Sequence, residues 1–130
     1  MSIIYSIETS PNAVVVQALF KQTDWADDRT IEDIQIVLDK SINVCAWDGE
    51  KLVGFARAVS DGRFRAFVED VVVDEAYRKQ GIGAGVMRKL LRELEHIDVL
   101  NLQCEDYNVG FYEKFGFKPT NSSAMYKSQN

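Results

Sequence analysis

Arg78 and Lys79 stand directly before a turn that carries glycine at 81, 83 and 85, and the turn runs on into an apolar pattern of helical period. The chemistry open to that arrangement is anion binding. Backbone N–H groups in the first turn of a helix have no intrahelical acceptor and sit at the positive end of its dipole, so a phosphate placed there satisfies both. Glycine lets such an anion approach the main chain without meeting a Cβ. A strand–turn–helix crossover whose glycines serve turn geometry alone is the plain alternative.

Local charge favours the anion. Between Tyr77 and Arg92 the chain has five basic residues, Arg78, Lys79, Arg88, Lys89 and Arg92, and no acidic one, although its net charge is -5. Positive charge confined to one stretch of an acidic protein suits a small anionic ligand better than a polyanion. Two nucleotide motifs fit poorly. The dinucleotide fingerprint G-x-G-x-x-G lacks its third glycine because position 86 is Val, and seven residues separate Val73 from Gly81. No Gly-Lys-Ser/Thr ends the turn as a P-loop requires.

The run Arg78-Lys79-Gln80-Gly81-Ile82-Gly83-Ala84 resembles the Arg/Gln-x-x-Gly-x-Gly/Ala signature of the GNAT acetyltransferase superfamily, and Val71-Val72-Val73-Asp74 before it resembles that family's pantetheine-binding strand. Asn108 to Phe117 is similar to its late Asn-x-x-x-Phe-Tyr-Glu-Lys-x-Gly-Phe helix, and Leu52 to Arg57 with Ser60-Asp61-Gly62 agree upstream. The set also resembles the small bacterial and plastid-type branch, which includes arylalkylamine-type enzymes. What the resemblance implies is acetyl-CoA as co-substrate, with Val71, Val72 and Val73 along pantetheine, Arg78, Lys79, Gln80, Gly81, Ile82, Gly83 and Ala84 around pyrophosphate, and Asn108 orienting the arm.

Acetyl transfer from a thioester to an amine needs a positioned acyl group, a neutral amine and a proton for the departing thiolate. Tyr112, which the resemblance places beside the sulfur, is the candidate acid, since a phenol is protonated at neutral pH. Packing between Phe111 and Phe115 is its other reading. For the base, Glu69 and Asp70 precede the valines, and a regular strand would aim them at opposite faces unless a bulge shifts the register. Asp70 is preferred because it resembles an acidic position of the similar branch. Either carboxylate can instead pair with Arg57 or Arg65.

Trp25, in a polar loop between two helical patterns, either packs at the core edge or lines the acceptor pocket, which this loop borders in the resembled family. Asp24, Asp27, Asp28, Glu69, Asp70, Glu105 and Asp106 either give a pocket suited to a cationic amine or form a solvated surface. We expect a small-molecule primary amine as acceptor, with Trp25 and Glu69 contacting it. A peptide amine, and an acyl-CoA-binding sensor without turnover, are the alternatives. Cys104 has no activating base beside it in sequence, and His96 is isolated, so direct transfer is expected over a covalent acyl-enzyme.

The elements that must position these groups follow from periodicity and turn signals. Ser2 to Glu8 reads as a strand with Ile3, Tyr5 and Ile7 on one face. Ser10-Pro11 reads as the start of a helix running from Asn12 to Gln22. Thr30-x-x-Asp33 resembles a capping box opening a helix to Lys40, with Ile31, Ile34, Val37 and Leu38 apolar. Three strands, Ser41 to Trp47, Leu52 to Ser60 and Phe64 to Val73, are joined at Asp48-Gly49 and Asp61-Gly62 as an antiparallel meander. A helix from Gly81 to Glu95 leads to a strand, Val99 to Cys104, parallel to Phe64 to Val73. A helix from Val109 to Phe115, stopped by Gly116, and edge strands marked by Phe117 and Met125 complete the chain.

A chain of 130 residues with 46% hydrophobic and 27% charged content supports one domain, residues 1–130, of α/β (α+β) class: a mixed, mainly antiparallel sheet with helices on both faces. Cys45 and Cys104 sit in apolar runs and read as buried thiols. With one histidine and no Cys/His cluster, no metal is expected. Acidity argues against nucleic-acid binding, and no long apolar stretch or leader pattern suggests a membrane or export, so a cytoplasmic protein is expected, with a homodimer by family analogy alone.

Overall fold

A computed structural model describes residues 2–130. Its elements are β1 (Ile3–Glu8), α1 (Ala13–Phe20), α2 (Ile31–Lys40), β2 (Ile42–Asp48), β3 (Lys51–Ser60), β4 (Arg65–Val73), α3 (Ile82–Glu93), β5 (Val99–Asn101) and α4 (Val109–Glu113), with single 3-10 turns at Glu75–Tyr77 and Asp106–Asn108. The strands form one sheet in the order β1-β2-β3-β4-β5. Neighbours are antiparallel from β1 to β4, and β4 and β5 are parallel.

Both hairpin signals work as turn chemistry predicts. Gly49 (φ 58°) and Gly62 (φ 81°) take left-handed conformations. At the second turn Asp61 Oδ1 accepts from the N–H groups of Arg63, Phe64 and Arg65, which holds its carboxyl below the usual carboxylate range. A parallel pair cannot be closed by so short a turn, so α3 carries the chain from β4 to β5.

Helices cover both faces. On one, Val16, Leu19 and Phe20 of α1 and Ile34 and Leu38 of α2 bury against Cys45, Leu52, Phe55 and Val72. On the other, Ile82, Val86, Met87 and Leu90 of α3 pack on Val44, Val53, Ala56, Ala58 and Val68, with Ile3, Tyr5 and Ile7 of β1 at the side. Gly85 lets α3 close on β1, because a Cβ there would fall inside the Tyr5 ring. No helix among the described residues is long and apolar enough to cross a membrane.

Four expectations are corrected. The cap of α1 is Asn12, whose side chain accepts from Val14 N–H, while Ser10 Oγ bonds Asp39 Oδ1. Ile31 opens α2 on its exposed side. The last strand stops at Asn101, leaving Cys104 exposed rather than buried. No strand follows it: Pro119 lacks a donor, Thr120 Oγ1 takes up Ser122 N–H, and Met125 is 90% exposed.

Candidate active site

The site begins at an irregularity in β4. Phe55 pairs with Val72 and Arg57 with Glu69, so Asp70 and Val71 together face Ala56 alone, a β-bulge. Asp70 is in the left-handed region (φ 54°), which aspartate tolerates better than most residues. Across the bulge the face parity switches: Ala66 and Val68 pack with the α3 side before it, Val71 and Val73 after it.

Asp70 is paired on the opposite side. Its Oδ2 accepts from Arg57 Nε at 2.6 Å and from Arg29 Nη1 at 2.8 Å, and its side chain is 1% exposed. Arg57 Nη1 also donates to Ser41 Oγ, and Arg29 lies over the rings of Phe20 and Trp25. Of the two partners suggested by sequence, Arg57 is present, whereas Arg65 bonds the Phe64 carbonyl. Asp70 is thus the shared counter-ion of two guanidinium groups.

Glu69, by contrast, borders a cleft of about 540 Å³ with Asp24, Trp25, Arg29, Asp70, Glu105, Asn108 and Tyr112. Burial raises its pKa, the Asp70 carboxylate adds to the rise, and Arg57 and Arg29 oppose it. Trp25 is 52% exposed and lines this cleft rather than the core. Asp27, Asp28 and Asp106 do not line it.

A second groove, of about 570 Å³, is walled by Val71, Val72, Val73, Arg78, Asn108, Tyr107 and the loop segment Gln22 to Trp25. It exists because β5 leaves β4 early. The pair ends at Phe67 opposite Asn101, so β4 beyond that point has a main-chain edge with no strand on the β5 side. An amide-rich arm can add there as an extra strand would.

Past Val73 the chain reaches the glycine-bearing turn before α3. Arg78, Lys79, Gln80 and Gly81 are exposed, and Lys79 (φ 65°) and Gly81 (φ 83°) are left-handed. Gly81 caps α3 without a side-chain hydrogen bond, so the N–H groups of Ile82, Gly83 and Ala84 face the turn uncapped. Ile82 contributes main chain only, its side chain being core. Gly85 packs against Tyr5.

Tyr112 of α4 lines the first cleft, not the second groove, with its ring edge-on to Phe111 (5.0 Å) and Phe117 (6.2 Å). Burial chiefly, with nearby Cys104, pushes its pKa up to about 12. Its ring packs on Phe111 and Phe117, and the residue lines the cleft at the same time. Cys104 reaches the same cleft with its pKa raised, first by burial and then by Asp106 and Glu105, and no activating base bonds it. Cys45 is buried beside Glu8, which raises its pKa further. Among the described residues no group of three or more His, Cys, Asp or Glu is placed to hold a metal.

Sequence reasoning missed Arg29, Gln22 and Tyr107. Arg29 and Gln22 are polar residues at loop ends whose partners lie some 40 to 53 positions away. No local pattern signals such pairs.

Residues 4–117 match the model of the acetyltransferase (GNAT) family. A GNAT-family acetyltransferase from Streptococcus pneumoniae TIGR4 superposes with a TM-score of 0.85 at 27% identity, covering 99% of this chain and 100% of that one. N-acetyltransferase ycf52 of Gracilaria tenuistipitata var. liui is 28% identical over 124 residues, 90% of this chain and 68% of that protein. Serotonin N-acetyltransferase 2, chloroplastic, of Oryza sativa subsp. japonica is 45% identical over 67 residues, 50% of this chain and 34% of that protein. The chain spans about a third of the length of several curated relatives.

Proposed function

Because the chain belongs to the acetyltransferase (GNAT) family, we propose that it moves an acetyl group from acetyl-CoA to the primary amine of a small molecule by direct attack. The observation that carries this reading is that two clefts share Trp25, Val71 and Asn108: a groove beside the free edge of Val71 to Val73 leading to an uncapped helix start, and an acidic cleft lined by Glu69 and Tyr112. The residues fit the co-substrate. Main-chain groups of β4 suit the amides of pantetheine, and the N–H groups of Ile82 to Ala84 with Arg78 and Lys79 suit pyrophosphate.

Glu69 takes the base role in this reading and Asp70 does not. The Asp70 side chain is 1% exposed and its Oδ2 is already taken by two guanidinium groups, which leaves it out of an amine's reach, whereas Glu69 borders the cleft with its pKa raised by burial. Glu69, directly or through one water, removes the proton that makes the amine nucleophilic. The nitrogen forms a bond to the thioester carbonyl carbon, the C–S bond breaks, and the sulfur leaves with the electron pair. Tyr112 is a weaker acid than an ordinary thiol, whose pKa is about 8.5. It therefore acts by donating a hydrogen bond to the sulfur as charge develops, its proton passing in the same step as cleavage and being restored from the one released by nitrogen.

An acceptor carrying positive charge and an aromatic body suits the cleft. Asp24, Glu69, Asp70 and Glu105 outnumber Arg29 around it, and Trp25 and Tyr107 add aromatic rings. The rice relative's name points to the same class. The test is CoA thiol release with an arylalkylamine, a polyamine, free amino acids and a lysine peptide. Release with a small amine that is lost in Tyr112→Phe supports the proposal. Acetyl-CoA binding without release from any amine would instead identify a silent acyl-CoA-binding domain.

A further inference from the structure

The side chain of Gln22, just past the end of α1, joins two parts of the donor site. Its Nε2 donates to Asp74 Oδ2 at 3.0 Å, and its Oε1 accepts the N–H of Glu75 at 2.8 Å. Asp74 is the joint between the strand Val71 to Val73 and the turn that follows. Its own N–H bonds the Val53 carbonyl at 2.8 Å, its Oδ1 accepts from Ala76 N–H at 2.9 Å, and its carbonyl accepts from Tyr77 N–H at 2.8 Å. Although burial pushes its carboxyl pKa up, the bonds from Gln22 and Ala76 and the charge of Lys51, 3.7 Å away, hold it below the usual range.

One amide thus supplies two of the bonds at the joint where the chain leaves β4, and the only ones that come from the loop after α1. Only a group with a donor and an acceptor side by side meets both demands: a carboxylate would repel Asp74, and an apolar side chain would satisfy neither. The same loop returns through Arg29 to Asp70. Contacts from residues 22 and 29 thus bracket the valines, at Asp70 before them and at Asp74 and Glu75 after them.

We propose that Gln22 is a positioning residue for the acetyl donor: by clamping the Asp74 joint it sets the angle between the strand edge that takes the pantetheine arm and the turn that takes the pyrophosphate. The inference rests on the donor site proposed above. A ligand spanning two subsites gains affinity from their fixed relation, and each half alone does not. Loosening the joint should therefore weaken the whole donor while sparing its nucleotide half.

The experiment is calorimetric titration of the full chain with acetyl-CoA and with 3′-phospho-ADP, the half lacking pantetheine. For Gln22→Met, which keeps the length and removes both bonds, acetyl-CoA affinity should fall about tenfold, the equivalent of about 1.4 kcal/mol for two ordinary hydrogen bonds, with 3′-phospho-ADP affinity within about twofold of wild type. Gln22→Glu should be at least as weak. The double variant Gln22→Glu/Asp74→Asn, which exchanges donor and acceptor, should recover to within about threefold. Equal weakening of both ligands, unchanged acetyl-CoA affinity in folded Gln22→Met, or no recovery in the double variant would overturn the inference. Failure of the wild type to bind acetyl-CoA would remove the donor site itself, and this role with it.

Discussion

Asp70 and Arg57 lie 2.6 Å apart across the β4 bulge, carboxylate Oδ2 to guanidinium Nε, with Asp70 held in a left-handed conformation. The pair fixes where β4 bends, and with it the stations of Glu69 before the bend and of the valines after it. Arg29 ties the loop between α1 and α2 to the same oxygen.

Breaking that cluster should cost stability. Asp70→Ala leaves two guanidinium groups facing each other, with Arg57 only 12% exposed at its side chain, and a loss of about 3 kcal/mol is expected from removing one partner of a buried pair. Asp70→Gly loses the same charge but accepts φ 54° freely, so it should be about 1 kcal/mol more stable than Asp70→Ala. Denaturant midpoints of the two variants decide this, and superimposable curves would contradict a conformational cost at position 70.

Glu69 should govern the low-pH limb of activity. Burial and Asp70 raise its carboxyl pKa, and the base must be ionised. Activity should therefore rise with pH through a value above the ordinary glutamate figure of about 4.3. Glu69→Gln should lower kcat about 100-fold and flatten that limb. Persistence of the limb in Glu69→Gln would place the titrating group elsewhere.

Tyr112→Phe keeps the ring packed against Phe111 and Phe117 and removes only the hydroxyl. The expected fall in kcat is about 100-fold, with acetyl-CoA affinity within about threefold of wild type. Steady-state kinetics beside a titration separates the two, and unchanged turnover would take Tyr112 out of the chemistry.

Gly85→Ala drives a methyl group into the Tyr5 ring. Overpacking should cost about 1–3 kcal/mol, and Tyr5→Leu should recover part of it because the two sites are in contact. Thermal melts of both single variants and the double variant measure the coupling. Strict additivity would mean that α3 and β1 do not meet as described.

What the sequence made legible was local in origin. Asp48-Gly49 and Asp61-Gly62 announce hairpins because turn geometry demands those residues. Thr30 announces α2 because its hydroxyl meets Asp33 N–H, as observed at 3.1 Å. Glycine at 81 marks the start of α3 for the same kind of reason. Where competing local bonds were misjudged, the reading slipped: Asn12 took the cap from Ser10, and Pro119 with Thr120 kept the tail out of the sheet.

The bulge lay beyond such reasoning. Nothing in Val68-Glu69-Asp70-Val71 states that two residues will oppose one, and without the bulge Glu69 and Asp70 cannot be given their faces. Arg29, whose partner is 41 positions away, became visible only when the loop between α1 and α2 had been laid over β4.

The most direct test of the donor site is a calorimetric titration of the purified chain with acetyl-CoA, beside an Arg78→Glu/Gly81→Glu variant. Saturable binding by the wild type and its loss in the variant are expected, with the variant folded by circular dichroism. No heat from folded wild type at millimolar acetyl-CoA, or equal binding by the two proteins, would contradict a phosphate turn at residues 78–84.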